Sequence, residues 1–309
     1  METRNKKKWM AGLLVLAAVI WGAAFAAQSS GAQKLPPHTF NGLRLLVGGA
    51  ALMPILLFMR ARAKKAQSAA AFKKAWRVSL KGGLVCGTLL VLATYSQQTA
   101  LVSVSAGKAG FLTAMYIVLV PVFGSFLGRR PGKRIWFCVL LDVIGFYFLS
   151  VRGAFSVQRE DLLLLFTAAC FAVHILVIER FLERGADGLM LSFAQFLTAG
   201  LIELPFLLFA EKPELAAISS AVPEILYVGV ISGAVGYSLQ IIGQKYIESA
   251  PAALLMSPES VFSAIFGWLF LGQKLSPAEL TGCAFVFAAV ILSQLPEKRS
   301  RKAEDKGRS

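Results

Sequence analysis

Acidic residues are scarce in this chain, with 17 Asp and Glu against 32 Lys and Arg in 309 residues. Charged residues of both signs make up 16% of it and hydrophobic ones 56%, too little charge for the surface of a soluble domain of this length. Histidine occurs twice and cysteine four times. Cys86, Cys138, Cys170 and Cys283 all stand in apolar stretches without metal-ligand or redox spacing, which leaves them as small buried hydrophobes. No GxxxxGK[ST] loop is present, so nothing points to ATP as the energy source. Asp142 is the one aspartate inside an apolar stretch and there is no HExxH, so the groups needed for proteolysis within a membrane are missing. No catalytic residue, metal or cofactor is expected, and the chain does not read as an enzyme.

What is abundant is apolar sequence in windows of about 17–22 residues, the length that crosses roughly 30 Å of hydrocarbon. Ten such windows are expected, near residues 10–27, 39–59, 82–97, 106–127, 135–151, 162–178, 189–209, 225–243, 252–271 and 278–295. Little chain remains between them, which leaves no room for a soluble catalytic domain. The basic run at residues 4–8 followed by apolar sequence resembles a secretion signal, but the stretch is long for one and more spans follow; it is read as an uncleaved first helix.

The net charge of +15 is unevenly placed. If the first segment is cytoplasmic, the inside connections hold Arg4 to Lys8, the basic run at 60–81, the turn at 129–134 and the tail after Pro296. The outside ones hold only Lys34, Arg152, Arg159, Lys212 and Lys274. This bias puts both termini in the cytoplasm, and the short loops and compactness point to a bacterial chain, for which the membrane is the plasma membrane. The basic tail then anchors topology and touches anionic membrane lipid, and nucleic acid is not a partner.

The chain also repeats itself. Residues 39–58 (TFNGLRLLVGGAALMPILLF) are answered by residues 190–209 (MLSFAQFLTAGLIELPFLLF), with Gly49 against Gly200, Pro54 against Pro205 and Arg44 against Gln195. Leu127-Gly128 is matched by Leu271-Gly272, and Gly87 and Gln98 by Gly233 and Gln244. Residues 1–152 form the first unit, 153–296 the second, and 297–309 a basic tail. Five spans per unit is an odd number, so the second unit enters the membrane from the opposite side. The expected architecture is an all-α polytopic membrane protein, ten helices in two inverted five-helix repeats around a central cavity, the plan of secondary transporters. Glycines at 82, 83 and 87, and at 229, 233 and 236, mark faces where helices approach closely.

Several stretches together resemble the EamA branch of the drug/metabolite transporter superfamily. They are residues 20–25 (IWGAAF), 40–44 (FNGLR), 110–113 (GFLT) through 120–123 (VPVF), and 258–262 (PESVF) through 269–272 (LFLG). The resemblance covers about residues 10–295. It implies a basket of ten helices in which spans 1–4 and 6–9 line the cavity and spans 5 and 10 pack outside. It also implies transport of small metabolites, often export of amino acids or related compounds. The chain departs from the family in one place: Gln273 stands where a glutamate often follows the second Leu-Gly, and Arg129 follows the first.

Ionisable groups inside hydrocarbon cost about 2.5–3.5 kcal/mol each, so those present are candidates for function. Glu259 lies near the middle of the ninth span beside Pro258, where a carboxyl can carry a proton or meet a cation. His174 lies within the sixth span and suits a proton relay. Trp21 and Phe25 stand one turn apart with Gln28 on the same stripe, and can wall an amphipathic substrate. Tyr116, Tyr237 and Gln240 offer neutral donors and acceptors at mid-depth. Arg44 can attract a carboxylate or phosphate, with Lys108 pairing to it or to Glu259, or snorkelling outward. Asp142 is expected to pair structurally, and Glu203, which has Leu52 as its counterpart, to cap a polar path. Each has a plainer reading as packing or a satisfied buried polar group. The leading function is secondary active transport of a small metabolite by alternating access, proton-coupled or exchange-driven, by a monomer or homodimer. The alternatives are an intramembrane enzyme or a channel-like membrane protein.

Overall fold

The computed structural model describes residues 2–66, 69–129, 131–150, 158–272 and 276–295. Among these the regular structure is entirely helical. Hydrocarbon offers backbone groups no partner, so each crossing segment must close its own hydrogen bonds. The helices are α1 (Glu2–Ala32), α2 (Pro37–Ala66), α3 (Ala69–Ala100), α4 (Ala106–Phe126), α5 (Lys133–Ser150) and α6 (Arg159–Glu183). They continue as α7 (Gly188–Glu211), α8 (Val222–Gln244), α9 (Ser249–Leu271) and α10 (Pro277–Gln294). A short helical turn at Leu215–Ser220 joins α7 to α8.

Among the described residues, eight helices are long and apolar enough to cross a membrane, namely α1–α4 and α6–α9. The sequence led to ten. The remaining two, α5 and α10, have 18 residues each. Charge shortens the apolar run in α5, which opens on Lys133 and Arg134 and carries Asp142 midway; in α10 the apolar part is Leu280–Ser293. These two pack chiefly along each other, beside the main bundle.

The bundle has a regular pattern of neighbours. Helix α3 lies against α6 and α7, while α8 lies against α1 and α2. Helices α2 and α7 also pack together. The Glu259–Leu271 part of α9 packs on α1, and the Tyr116–Phe126 part of α4 packs on α6. Small residues allow the closest approaches. A Cβ on Gly87 would stand 2.7 Å from the Gln195 carbonyl oxygen of α7, and one on Gly229 would stand 2.7 Å from the Arg44 carbonyl oxygen of α2. Gly229 therefore does in α8 what Gly87 does in α3, one turn away from Gly233, the match suggested by sequence spacing alone.

Two helices are broken at mid-depth. Helix α4 is interrupted at Met115, between Ala106–Ala114 and Tyr116–Phe126. Helix α9 is interrupted at Ser257 and Pro258, between Ser249–Met256 and Glu259–Leu271. Proline explains the break in α9, where Pro258 removes a donor and its ring crowds the preceding turn. Helix α7 widens to a π-helix at Phe206–Glu211 after Pro205, and α8 is π-helical over Tyr227–Tyr237. Such widening frees backbone and re-aims side chains, and it recurs at functional sites. The outside of the bundle is apolar, with Leu57, Phe137, Phe209 and Ile291 all more than half exposed, as a lipid-facing surface requires.

Candidate functional site

The breaks in α4 and α9 open onto a narrow central cavity. Its walls come from α1 (Trp21, Ala24, Phe25, Gln28), α2 (Arg44), α3 (Thr94, Gln97), α4 (Thr113, Tyr116), α6 (Phe171, Ile175), α8 (Ser232, Tyr237, Gln240) and α9 (Met256, Glu259). Seven of the eight residues singled out from sequence meet there: Trp21, Phe25, Arg44, Tyr116, Tyr237, Gln240 and Glu259.

The eighth, His174, is buried one layer behind. Its Nε2 lies 2.9 Å from Gln195 Oε1, and its ring meets Tyr237 edge-on at 6.0 Å. It supports the wall rather than forming it. Tyr237 is the hub of an aromatic cluster, 5.0 Å from Trp21 and 5.5 Å from Phe196 between ring centres. Trp21 is fixed in turn by donating its indole N–H to the Ser232 carbonyl at 3.1 Å, a carbonyl of the π-helical stretch.

The polar chemistry is concentrated in a few buried atoms. Arg44 uses Nε to donate to Asn41 Oδ1 at 2.9 Å, while its Nη2 is buried without a hydrogen-bond partner. The Glu259 carboxyl is buried and faces the Tyr116 hydroxyl without closing a hydrogen bond of ordinary geometry. Tyr237 lies within electrostatic reach of both Arg44 and Glu259. Six buried cavity-lining atoms have no partner: Gln28 Oε1, Arg44 Nη2, Thr94 Oγ1, Tyr116 OH, Gln240 Oε1 and Glu259 Oε1. An unsatisfied buried polar atom costs about 1–3 kcal/mol, more when charged. A set of six around one cavity is a set of hydrogen-bonding positions for a polar guest, between apolar walls.

Other charged groups fall elsewhere. Lys108 pairs with neither Arg44 nor Glu259 but with Asp161 at 2.6 Å, because its place near the start of α4 lets it reach the start of α6. Asp142 is buried and accepts a hydrogen bond from the Ser257 hydroxyl at 3.3 Å, which ties α5 to the break in α9. Glu203 lies with its Oε2 2.5 Å from His38 Nδ1. His38 was left outside the spans by the sequence, yet α2 begins at Pro37 and takes it into its first turn. The cavity residues Gln97 and Ser232 also escaped notice, since single neutral polar residues carry no pattern. Phe171 and Ile175 were legible in principle: they repeat, at the head of the second unit, the four-residue spacing of Trp21 and Phe25.

At the opposite end of the bundle, Arg129 bridges Glu179 and Glu183 of α6, the latter at 2.9 Å. The Ser249 hydroxyl at the head of α9 donates to the same Glu179. Partial burial works against the charge on Arg129, but the two glutamates outweigh it and hold its proton more firmly than usual. This network lies beside another cavity, lined by Pro121, Gly124, Leu176 and Ala250 among others.

An all-helical bundle of membrane-spanning length, with a polar cavity buried at its broken helices, defines an integral membrane transporter. The chain belongs to the EamA-like transporter family, whose model matches residues 8–151 and again 158–295. It is 30% identical to the threonine/homoserine exporter RhtA of Escherichia coli strain K12, over 95% of this chain and 93% of that one. It is 28% identical to an uncharacterized transporter of Archaeoglobus fulgidus, over 91% of this chain and 84% of the other. A solved crystal structure shares the fold with a TM-score of 0.70 at 19% identity, over 92% of this chain and 96% of that one. The protein is accordingly a membrane transporter and not an enzyme.

Proposed function

We propose that the protein is a secondary active transporter that exports a small amino acid or a related amine-bearing metabolite across the plasma membrane by alternating access. One observation carries the substrate class. A cation with a free donor, Arg44, and a carboxyl with a free oxygen, Glu259, line the same buried cavity. A zwitterion answers both, its carboxylate at Arg44 and its ammonium at Glu259 and Tyr116. Gln28, Thr94 and Gln240 remain to accept or donate to a small polar side chain. The likeness to threonine/homoserine exporters is in keeping with such a guest.

The mechanism rests on ten crossings in two inverted units, with α5 and α10 as the fifth crossing of each. Exchanging each helix of the first unit for its counterpart in the second turns the α3 contacts with α6 and α7 into the α8 contacts with α1 and α2. The same exchange relates the two broken helices, α4 and α9. Gln98 donates to the Gln28 carbonyl of α1 at 3.0 Å, and Gln244 donates to the Ile175 carbonyl of α6 at 3.1 Å, the same task in each unit. We take the Arg129 end as cytoplasmic and the His38 end as outer, the orientation that the basic connections favour. The Arg129–Glu179–Ser249 network is then the inner latch. A proton and the substrate's ammonium compete for Glu259, so inward proton flow drives substrate outward.

Purified protein in liposomes loaded with L-threonine tests the reading. Saturable counterflow of labelled L-threonine, lowered about tenfold or more by Arg44→Gln, is expected. Flux that rises linearly with concentration would sink it in favour of a channel.

A further inference from the structure

We propose that a groove between α1, α8 and α9, on the side of α1 away from the central cavity, is a binding site for one phosphatidylethanolamine molecule. The groove takes an acyl chain, and Glu224 and Lys34 at its end take the headgroup. The proposal does not depend on which substrate the protein carries.

Helix α1 serves two chambers with two faces. Trp21, Ala24, Phe25 and Gln28 look into the central cavity. Val19, Ala23, Ala26 and Ala27, in the other register of the same helix, form the floor of the groove. Its walls are Tyr227 near the head of α8 and Phe266 and Phe270 toward the end of α9. Along this stretch the two walls each pack on α1 rather than on each other, and the small side chains of α1 leave the gap between them open. The groove holds about 560 Å³, within the roughly 300–1,000 Å³ of ligand sites in general.

Its length and lining point to an acyl chain. The groove follows α1 from Val19 to Ser30, about 16 Å at about 1.5 Å per residue. That is half of the roughly 30 Å hydrocarbon core, the depth of one leaflet. Phe270 is 69% exposed on the apolar outside of the bundle, so the groove is entered from the bilayer. Tyr227 donates its hydroxyl to the Ile20 carbonyl at 3.2 Å and so offers the groove its ring. A zwitterionic metabolite finds no partner at that depth, whereas a hydrocarbon chain needs none.

The end of the groove is polar and only partly satisfied. Glu224 Oε1 accepts from the Ser30 hydroxyl at 2.8 Å and from Lys34 Nζ at 2.5 Å. Glu224 Oε2 is buried without a hydrogen-bond partner. Lys34 gives a second donor to the Ser220 carbonyl at 3.0 Å and, one-third exposed, keeps a third. An ammonium with N–H groups answers Glu224 Oε2, and a phosphate answers the remaining Lys34 donor. Phosphatidylethanolamine carries both above its acyl chains. Phosphatidylglycerol brings no cation for Glu224, and the choline headgroup brings a cation with no N–H to give. A lipid held there bridges α8 and α9 where they do not meet and backs the helix that walls the cavity.

The wild-type protein gives the first test, by native mass spectrometry after its co-purified lipid is exchanged for a defined one. Phosphatidylethanolamine should stay bound at one molecule per protein, about tenfold or more tighter than phosphatidylcholine of matched chains. Equal retention of the two overturns the headgroup assignment, and stronger retention of phosphatidylglycerol overturns it in favour of an anionic-lipid site. This comparison needs no variant to fold. Glu224→Gln should remove the preference for ethanolamine over choline, and a preference kept in that variant overturns the role of Glu224. Ala23→Phe fills the floor midway and should weaken retention of phosphatidylethanolamine about tenfold or more; retention untouched by it puts the lipid elsewhere. Added phosphatidylethanolamine should raise the melting temperature of the wild type by a few degrees and leave that of Ala23→Phe unchanged. A wild-type melting temperature indifferent to the lipid overturns the brace. None of these readouts uses a substrate, so their failure and a failure of L-threonine counterflow are distinguishable.

Discussion

In the proposed mechanism, Arg44 is the residue on which recognition turns. Its Nε is held by Asn41 and its Nη2 is left over, an arrangement that presents one charged donor in a fixed direction. A hydrogen bond to a charged group contributes about 1.5–3 kcal/mol, so Arg44→Gln should lower amino-acid counterflow in proteoliposomes by about tenfold or more. Arg44→Lys should not restore it, because a lysine cannot bond Asn41 and the guest in one plane. Glu259 makes a different prediction. Glu259→Gln removes the titrating group but keeps its size and hydrogen-bonding capacity. Exchange of substrate for substrate should persist, while accumulation driven by a pH gradient should be lost. Unchanged pH-driven accumulation would place the coupling proton elsewhere.

Helices meet in this protein at carbonyls as much as at side chains. Gly87 and Gly229 each bring their helix onto a carbonyl oxygen, of Gln195 and of Arg44, with room for no Cβ. Overpacking of this kind costs about 1–3 kcal/mol. Gly87→Ala and Gly229→Ala should each lower the melting temperature of the detergent-solubilised protein by a few degrees and by similar amounts, since they disturb equivalent joints. Gly12, which has open space around it, is the control: Gly12→Ala should leave melting unchanged. At the head of α9, Ser249 and Arg129 converge on Glu179 and pin α6, α9 and the connection after α4 together. Arg129→Ala should release this latch and shift the population toward the inward-open state. Maleimide labelling of Ala250→Cys, in the adjoining cavity, should then speed up by about fivefold or more. An unchanged labelling rate would make the network a brace rather than a gate.

At the scale of the whole molecule, the proposed orientation has a direct consequence. With the Arg129 end in the cytoplasm and an even number of crossings, a green fluorescent protein fused after the last residue should fluoresce, while alkaline phosphatase fused there should be inactive. The reverse pattern would invert the bundle and exchange the inner latch with the His38 end.

Sequence alone was enough for the helical, membrane-embedded character of the chain, which follows from a local quantity, the length of apolar runs. It also reached Trp21, Phe25, Arg44, Tyr116, Tyr237, Gln240 and Glu259, because a polar or aromatic group deep in hydrocarbon stands out one residue at a time. It did not distinguish the wall from the layer behind it: His174 was as conspicuous as Glu259, and only packing put Gln195 and Tyr237 around it. Pairing was equally out of reach. That Lys108 goes to Asp161, that Glu203 finds His38 across 165 positions, and that Asp142 steadies the break in α9 depend on which helices become neighbours. Neighbours are chosen by the close fit of small residues and by the polar groups that can meet. Those are properties of the assembled bundle, so no single segment carries them.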